Sequence, residues 1–189
     1  EALEGLNVAG ELNSNFIIVF NDNQMSIAEN HGGMYDQFAE LRRTNGAAEN
    51  NLFKSMGLDY LYVNDGNDIE ALIAAFEQVK DSTHPVVVHI NTLKGKGYAP
   101  AEANKEKWHW HMPFDIQTGQ SPASGSSESY ASIFAEYALK RAKTDPKFLV
   151  LMSAVPGLLG LTQERREELG KHYLDVGIAE ETAVAMASG

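Results

Sequence analysis

Short apolar runs alternate along this chain with segments of helical spacing, and this alternation constrains the fold more than any other feature. Residues 16–20 and 85–90 are dominated by β-branched and aromatic side chains, which is typical of strands buried in a parallel sheet. Strands that alternate with helices predict a parallel sheet with helices on both faces. The sequence therefore predicts an α/β fold.

Helical spacing extends over several segments, and one of them has a clear start. Residues 68–80 begin at Asp68, a favourable N-cap, and place four apolar side chains on one face: Leu72, Ile73, Phe76 and Val79. The other predicted elements of the first half are helices at residues 2–12, 35–43 and 49–56 and a short strand at 60–63.

A polar segment divides the chain. Residues 120–127 combine Ser with Pro and Gly, as interdomain linkers do. We expect a first domain at residues 1–115, a linker at 116–128 and a second domain at 129–189. The second domain is predicted to alternate again: helix 130–143, strand 148–153, helix 162–169, strand 173–176 and a helix that begins at Glu180.

Charge and composition exclude several classes of function. The 189 residues carry a formal net charge of −11, which argues against nucleic acid as a partner because phosphate neutralisation requires clustered Lys and Arg. The chain has no cysteine, so it has neither disulfides nor thiolate chemistry. It shows no apolar run long enough to span a bilayer and no signal peptide. We expect a cytoplasmic enzyme without a membrane partner.

The motifs at residues 21–27 and 175–180 lie at the ends of predicted strands, where α/β sheets place ligand groups. Five further motifs lie between them, at residues 29–30, 65–68, 94–102, 108–109 and 113–115. In this order they resemble the thiamine-diphosphate enzymes of the transketolase superfamily, and within it the 1-deoxy-D-xylulose-5-phosphate synthases. The resemblance implies a thiamine-diphosphate-binding fold with two incomplete tandem domains. The C-terminal part of the diphosphate-binding domain would precede the linker, and the N-terminal part of the pyrimidine-binding domain would follow it.

Asn23 has two interpretations. Taken alone, an Asn directly after a strand is most simply a turn residue. The resemblance implies instead that the side-chain oxygen of Asn23 and the main-chain carbonyl of Met25 bind Mg²⁺, which prefers oxygen ligands, with Ser26 beside the cofactor. A Gly-Asp-Gly metal motif of the family should precede Glu1. We therefore expect the 189-residue chain by itself to bind thiamine diphosphate weakly.

Glu180 is the expected catalytic carboxyl group. By resemblance it hydrogen-bonds the aminopyrimidine ring of thiamine diphosphate and so promotes loss of the proton from the thiazolium carbon. A Glu that donates this hydrogen bond must be protonated, which an apolar setting favours. We expect that setting from Ile178, Ala179, Ala183 and Val184. The alternative is a first-turn Glu stabilised only by the helix dipole.

Two further side chains are expected at the site. The resemblance places Lys94 near the diphosphate, where its ammonium supplies positive charge, whereas Lys96 is expected to face solvent. It places His109 towards the substrate, where it moves a proton or binds a carboxylate. A zinc site at His109 and His111 is a weaker alternative. Trp110 and His111 are expected to pack.

The chain departs from the synthase pattern in three places. The interval between Gly33 and Phe53 is shorter, residues 154–161 are more apolar, and Glu181-Thr182 stands where the family has Gln-His. The polar segment at residues 65–68 is expected to be a turn and helix cap without a catalytic role.

The resemblance implies a transferase that depends on thiamine diphosphate and Mg²⁺. It would condense pyruvate with glyceraldehyde 3-phosphate, release CO₂ and form 1-deoxy-D-xylulose 5-phosphate for isoprenoid and thiamine synthesis. Its partners would be pyruvate, an aldehyde phosphate and a second copy in a homodimer. Two alternatives stay open: a transketolase-like or ketoacid-dehydrogenase-like paralogue, and a non-catalytic fragment or subunit.

Overall fold

The computed structural model describes residues 2–122 and 128–189. Within these ranges the chain forms two compact units, one of residues 2–24 and 33–102 and the other of residues 25–32 and 103–189. Residues 25–32 thus belong to the second unit although they lie early in the sequence. Residues 123–127, which belong to the expected linker at 116–128, lie outside the described residues. The division at residues 115 and 129 stays a prediction.

The first unit contains a parallel sheet. Its strands are β1 (Ile17–Asp22), β2 (Asp59–Val63) and β3 (Val86–Asn91), and they lie in the order β1-β3-β2. Asp22 of β1 lies opposite Asn91 of β3. Because the strands are parallel, their carboxyl ends meet at one edge of the sheet.

Helices of the first unit precede, separate and follow these strands. They are α1 (Ala2–Glu11), α2 (Gly33–Arg43), α3 (Leu52–Ser55), α4 (Ile69–Val79) and α5 (Ala99–Ala103). Two of them begin at side-chain caps. Asp68 accepts a hydrogen bond from the N–H of Glu70, and the buried Asn51 accepts from the N–H groups of Phe53 and Lys54.

The central strand β3 is covered on both faces. Val87 packs in one cluster with Phe38 and Leu41 of α2 and Phe53 of α3. Val86 and Val88 point to the opposite face, where they pack with Ala75 and Val79 of α4. Successive strand residues alternate between the two faces of a sheet. A strand that is buried on both faces therefore needs an unbroken apolar run.

The second unit contains two parallel strands, β4 (Val150–Met152) and β5 (Tyr173–Asp175). Its helices are α6 (Tyr130–Thr144), α7 (Gln163–Leu169) and α8 (Glu180–Ala187), with 3₁₀ turns at Pro156–Leu159 and Gly170–His172. A capping box between Ser129 and Ser132 starts α6, and Thr162 caps α7. The buried core consists of Ala135, Ala138, Val150, Met152, Leu161 and Leu169.

The predicted α/β fold with parallel strands and flanking helices is confirmed, whereas the predicted burial of β1 is wrong. β1 lies at the edge among the described strands, so it is only partly buried and the side chain of Val19 is 50% exposed. In α4, Leu72, Phe76 and Val79 of the predicted face pack in one cluster with Ala75, whereas Ile73 is 50% exposed. No helix in the described part of the chain combines the length and apolar character that crossing a membrane requires.

Candidate functional site

Asn23 and Lys94 lie at the carboxyl edge of the first sheet. Asn23 directly follows β1, and Lys94 follows β3 after a short connection. The N–H of Thr92 donates to the carbonyl of Asp22 at 3.0 Å, which extends the pairing of these strands to their last residues. The structure therefore brings two predicted cofactor residues to one edge of one unit.

Asp22, the last residue of β1, is the centre of a buried hydrogen-bond network. Its Oδ1 accepts from the N–H of Gln24 at 3.0 Å. Its Oδ2 accepts from the guanidinium of Arg42 in α2 and lies 3.0 Å from Nε2 of His89 in β3. The other ring nitrogen of His89, Nδ1, lies 2.7 Å from the hydroxyl of Tyr60 in β2. The network thus spans all three strands.

The contact with Asp22 determines which nitrogen of His89 carries a proton. Burial by itself would raise the pKa of Asp22, but hydrogen bonds from His89, Arg42 and Gln24 and the charge of Arg42 lower it below the ordinary value. Asp22 is therefore a carboxylate, which only accepts, so Nε2 of His89 carries a proton. Burial raises the pKa of Tyr60, so its hydroxyl stays protonated and is able to donate to Nδ1.

Side chains also fix the segment that leads to Lys94. The hydroxyl of Thr92 donates to the Asn21 side-chain oxygen at 2.6 Å, and the N–H of Leu93 donates to the Asn67 side-chain oxygen at 2.7 Å. Asn67 therefore acts as more than a turn residue, because it holds the residue that precedes Lys94.

The glycine that follows Lys94 is required by local packing. Gly95 has φ +83°, and a Cβ there would lie 2.8 Å from Ala101 in α5. Lys94 is partly buried, whereas Lys96 is exposed. The prediction that Lys96 faces solvent is confirmed.

In the second unit, Asp175 organises the approach to Glu180. Asp175 is buried at the end of β5, and its Oδ1 accepts from the N–H groups of Ala154 (3.0 Å) and Gly177 (2.8 Å). Its Oδ2 accepts from the hydroxyl of Tyr173 at 2.9 Å. Gly177 has φ +76°, the left-handed region that glycine adopts without strain, and α8 then begins at Glu180.

The expected apolar setting of Glu180 is absent from the described residues. Glu180 is exposed in the first turn of α8, and the side chains of Ile178 and Val184 are 69% and 71% exposed. The prediction that these side chains enclose Glu180 is wrong. The turn at Gly177 and the start of α8 direct Ile178 and Val184 outwards into solvent.

His109 lies in a series of turns that Arg166 anchors. The N–H of His109 donates to the carbonyl of Glu106 at 3.1 Å. Both carboxylate oxygens of Glu106 accept from Arg166, at 3.0 and 2.8 Å, and Arg166 also donates to the carbonyl of Leu161 at 2.8 Å. The same guanidinium lies 3.8 Å from Glu29. One side chain thus holds the His109 turn and reaches the segment that begins at Met25.

Met25 and Ser26 lie in residues 25–32 of the second unit. Met25 pairs with Glu29 in an isolated antiparallel bridge, and the N–H of Ser26 donates to the carbonyl of Ala28 at 3.0 Å. The segment forms a tight loop whose Glu29 faces Arg166.

The aromatic side chains beside His109 only partly match expectation. His111 stacks on Trp108 with ring centroids 4.3 Å apart, so the prediction that His111 packs is confirmed. Trp110 is 72% exposed, so the same prediction for Trp110 is wrong. Residues 105–110 form turns and bends, so His109 and His111 do not share a strand face. Among the described residues no group of three or more His, Cys, Asp or Glu could hold a metal.

Sequence reasoning missed the residues that hold the site residues in place. Arg42, His89 and Arg166 are distant in sequence from the residues they bind, and no motif joined them to their partners. The one available signal was chemical. A His inside the apolar run of β3 and a buried Arg in the middle of α7 require polar partners.

Comparisons with known proteins show which family the chain resembles in sequence. The sequence profile described as 1-deoxy-D-xylulose-5-phosphate synthase matches residues 1–49 and 43–92. The chain is 35% identical to 1-deoxy-D-xylulose-5-phosphate synthase 1 of Geobacter sulfurreducens and to the synthase of Clostridium perfringens, and 33% identical to that of Pelotomaculum thermopropionicum. The chain belongs to the 1-deoxy-D-xylulose-5-phosphate synthase family. These alignments include 100% of the chain and 35–36% of each synthase, so the chain spans about a third of the length of the curated relatives it matches.

The match of the synthase profile also bears on the short interval after Gly33. The profile aligns in two segments that overlap at residues 43–49. This overlap lies between Gly33 and Phe53, the interval that is expected to be shorter than in a typical synthase.

The residues at the two strand ends fit the cofactor that the synthase family implies. Asn23 offers an amide oxygen and Met25 a carbonyl oxygen, the hard ligands that Mg²⁺ prefers. Lys94, partly buried at the same edge as Asn23, offers a positive charge suited to a diphosphate. Glu180 offers a carboxyl group at the start of a helix.

Proposed function

We propose that this chain is the part of a thiamine-diphosphate-dependent transferase that holds the cofactor. The enzyme condenses pyruvate with glyceraldehyde 3-phosphate to 1-deoxy-D-xylulose 5-phosphate and releases CO₂. One observation carries the proposal: Asn23 and Lys94 share the carboxyl edge of a parallel sheet in a chain that aligns over its whole length with synthases. The enzyme serves isoprenoid and thiamine precursor synthesis, and we expect a cytoplasmic homodimer.

The proposed binding residues have different roles because they differ in charge. Asn23 and the carbonyl of Met25 hold Mg²⁺, Ser26 lies beside the cofactor, and Lys94 neutralises diphosphate charge. Thiamine diphosphate, when bound, supplies the thiazolium ring that accepts electrons as pyruvate loses CO₂.

The proposed catalytic residues handle protons. Glu180 donates a hydrogen bond to the aminopyrimidine, which requires the carboxyl group to be protonated. His109 binds the substrate carboxylate or moves a proton at the substrate. The Arg166–Glu106 pair keeps the His109 turn in one conformation.

Turnover by the protein that contains this chain tests the reaction. With Mg²⁺ and thiamine diphosphate, we expect CO₂ release from pyruvate that depends on glyceraldehyde 3-phosphate and yields the ketose phosphate. Activity only with a ketose phosphate donor would identify a transketolase-like paralogue. Acyl transfer from pyruvate without the aldehyde would identify a ketoacid-dehydrogenase-like one. Absence of cofactor binding would identify a non-catalytic subunit.

Glu180 has a matched control one residue away. Glu180→Gln should lower kcat by roughly 100-fold or more, while cofactor affinity stays within about threefold, because it removes a proton donor and little binding surface. Glu181→Gln makes the same chemical change in the same exposed helix turn and should leave kcat within about twofold. Equal losses in the two variants would refute the assignment of Glu180.

A further inference from the structure

We infer that Asp22 is a positioning residue for Asn23, and that it acts by holding the following residue, Gln24, in a left-handed conformation. The inference rests on the proposed role of Asn23 as a ligand of Mg²⁺. Asp22 itself does not bind the metal. It fixes the backbone on both sides of Asn23, the proposed ligand.

The backbone at Gln24 needs such support. Gln24 has φ +66°, in the left-handed region that residues with a Cβ rarely adopt. Its N–H donates to Oδ1 of Asp22 at 3.0 Å, so the carboxylate closes a turn around Asn23. An Asx turn of this kind sets the backbone direction of the enclosed residue.

The carboxylate that closes the turn is itself held firmly. Oδ2 binds Arg42 and His89, which leaves Oδ1 directed at Gln24. Asp22 is 5% exposed and His89 is fully buried, so water has little access to the carboxylate. Arg42 comes from α2, His89 from the central strand, and Tyr60 holds His89 from the opposite strand. The sheet and one helix thus fix the position of the turn.

The second unit contains the same arrangement. Asp175 is the buried last residue of β5, its carboxylate accepts from the N–H two residues later, and that residue, Gly177, is also left-handed. A predicted cofactor residue, Glu180, follows. Because glycine adopts this conformation without strain, the turn in the second unit depends less on its carboxylate. At Gln24 the left-handed conformation is strained, so this turn depends more on the carboxylate of Asp22. Replacing Gln24 by Gly would remove the strain and so test this dependence.

The test separates positioning from general stabilisation by rescue. In the protein that contains this chain, Asp22→Ala should raise the Mg²⁺ concentration that half-saturates thiamine diphosphate binding by about tenfold, and Asp22→Asn, which keeps an acceptor oxygen, by about threefold. Adding Gln24→Gly to either variant should recover at least about half of the loss on a logarithmic scale. Titration calorimetry measures each value.

Asn51→Ala is the control for stability. Asn51 is 1% exposed in the same unit and accepts two backbone hydrogen bonds at the start of α3, so its removal destabilises the fold without touching the Asn23 turn. Its half-saturating Mg²⁺ concentration should stay within about twofold. A similar weakening in Asn51→Ala, or no rescue by Gln24→Gly, would overturn the inference.

A readout without cofactor separates failure of this inference from failure of the proposed function. Hydrogen exchange at the amide of Gln24, in the absence of Mg²⁺, should be faster in Asp22→Asn than in wild type because the acceptor loses its charge. If wild type binds no Mg²⁺-dependent cofactor, the proposed function fails, and the exchange rate at Gln24 still decides whether Asp22 holds the turn. If wild type binds and Asp22→Ala binds equally well, only the inference fails. If Asp22→Ala does not fold, Asp22→Asn and its rescue decide.

Discussion

Arg166→Met would remove the guanidinium that anchors the His109 turn while keeping most of the apolar stem. The side chain of Arg166 is 8% exposed and that of Glu106 is 27% exposed. Their bidentate contact and the bond to the Leu161 carbonyl are lost together. The substitution therefore tests an ion pair in which Arg166 is buried and Glu106 is partly exposed to solvent.

The size of the effect follows from this asymmetry. Breaking a fully buried ion pair by removing one partner costs about 3–5 kcal/mol, because the remaining charge is stranded. Here Glu106 keeps access to water and is not fully stranded, which lowers the cost. The buried carbonyl of Leu161 loses a donor, which costs about 1 kcal/mol or more. We expect Arg166→Met to lower the free energy of unfolding by about 2–3 kcal/mol.

Urea denaturation followed by tryptophan fluorescence measures this loss. Both tryptophans of the chain, Trp108 and Trp110, lie in the second unit beside the anchored turn. A double-mutant cycle with Glu106→Gln should give a coupling energy of about 1–2 kcal/mol. A loss below about 0.5 kcal/mol, or strictly additive losses, would show that the pair contributes no more than an exposed salt bridge.

Two matched pairs of variants test packing in the second unit. Gly160→Ala should cost clearly more than Gly177→Ala, measured by thermal denaturation. Both glycines are left-handed, at φ +67° and +76°, which costs alanine about 1–2 kcal/mol, but only at Gly160 would the new Cβ meet a backbone oxygen, 2.7 Å away on Ala131. Leu161→Ala, at a side chain that is fully buried, should cost about 3 kcal/mol in urea denaturation, whereas Leu158→Ala, at a side chain that is 76% exposed, should cost less than about 0.5 kcal/mol. Equal losses of stability within either pair would contradict the packing described for Gly160 or for Leu161.

The class of fold could be predicted from sequence because its signals are local. The apolar run of β3 is unbroken because helices cover both faces of that strand, and this is visible without knowing which helices they are. Asp68 and Thr162 start their helices by bonds to N–H groups two or three residues away. Such bonds depend on a few neighbouring residues, so their pattern can be recognised in the sequence alone.

The motifs predicted the candidate site residues, but their surroundings followed from tertiary structure. Asn23 and Lys94 reach one edge because β1 and β3 pair in parallel, which the alternation of elements predicted. The exposure of Glu180 was not predicted, because an apolar neighbour in sequence need not be a neighbour in space. Ile178 and Val184 lie close to Glu180 along the chain and still face solvent.

The sequence by itself determined the α/β class, the approximate positions of the strands and the family. Only the tertiary structure decided that Asp22 meets His89, that Arg166 meets Glu106, and that residues 25–32 join the second unit. The physical reason is the range of the interactions. Periodicity and capping act over one or two turns of chain, whereas a buried charge takes its partner from whatever element the packing of the core brings beside it.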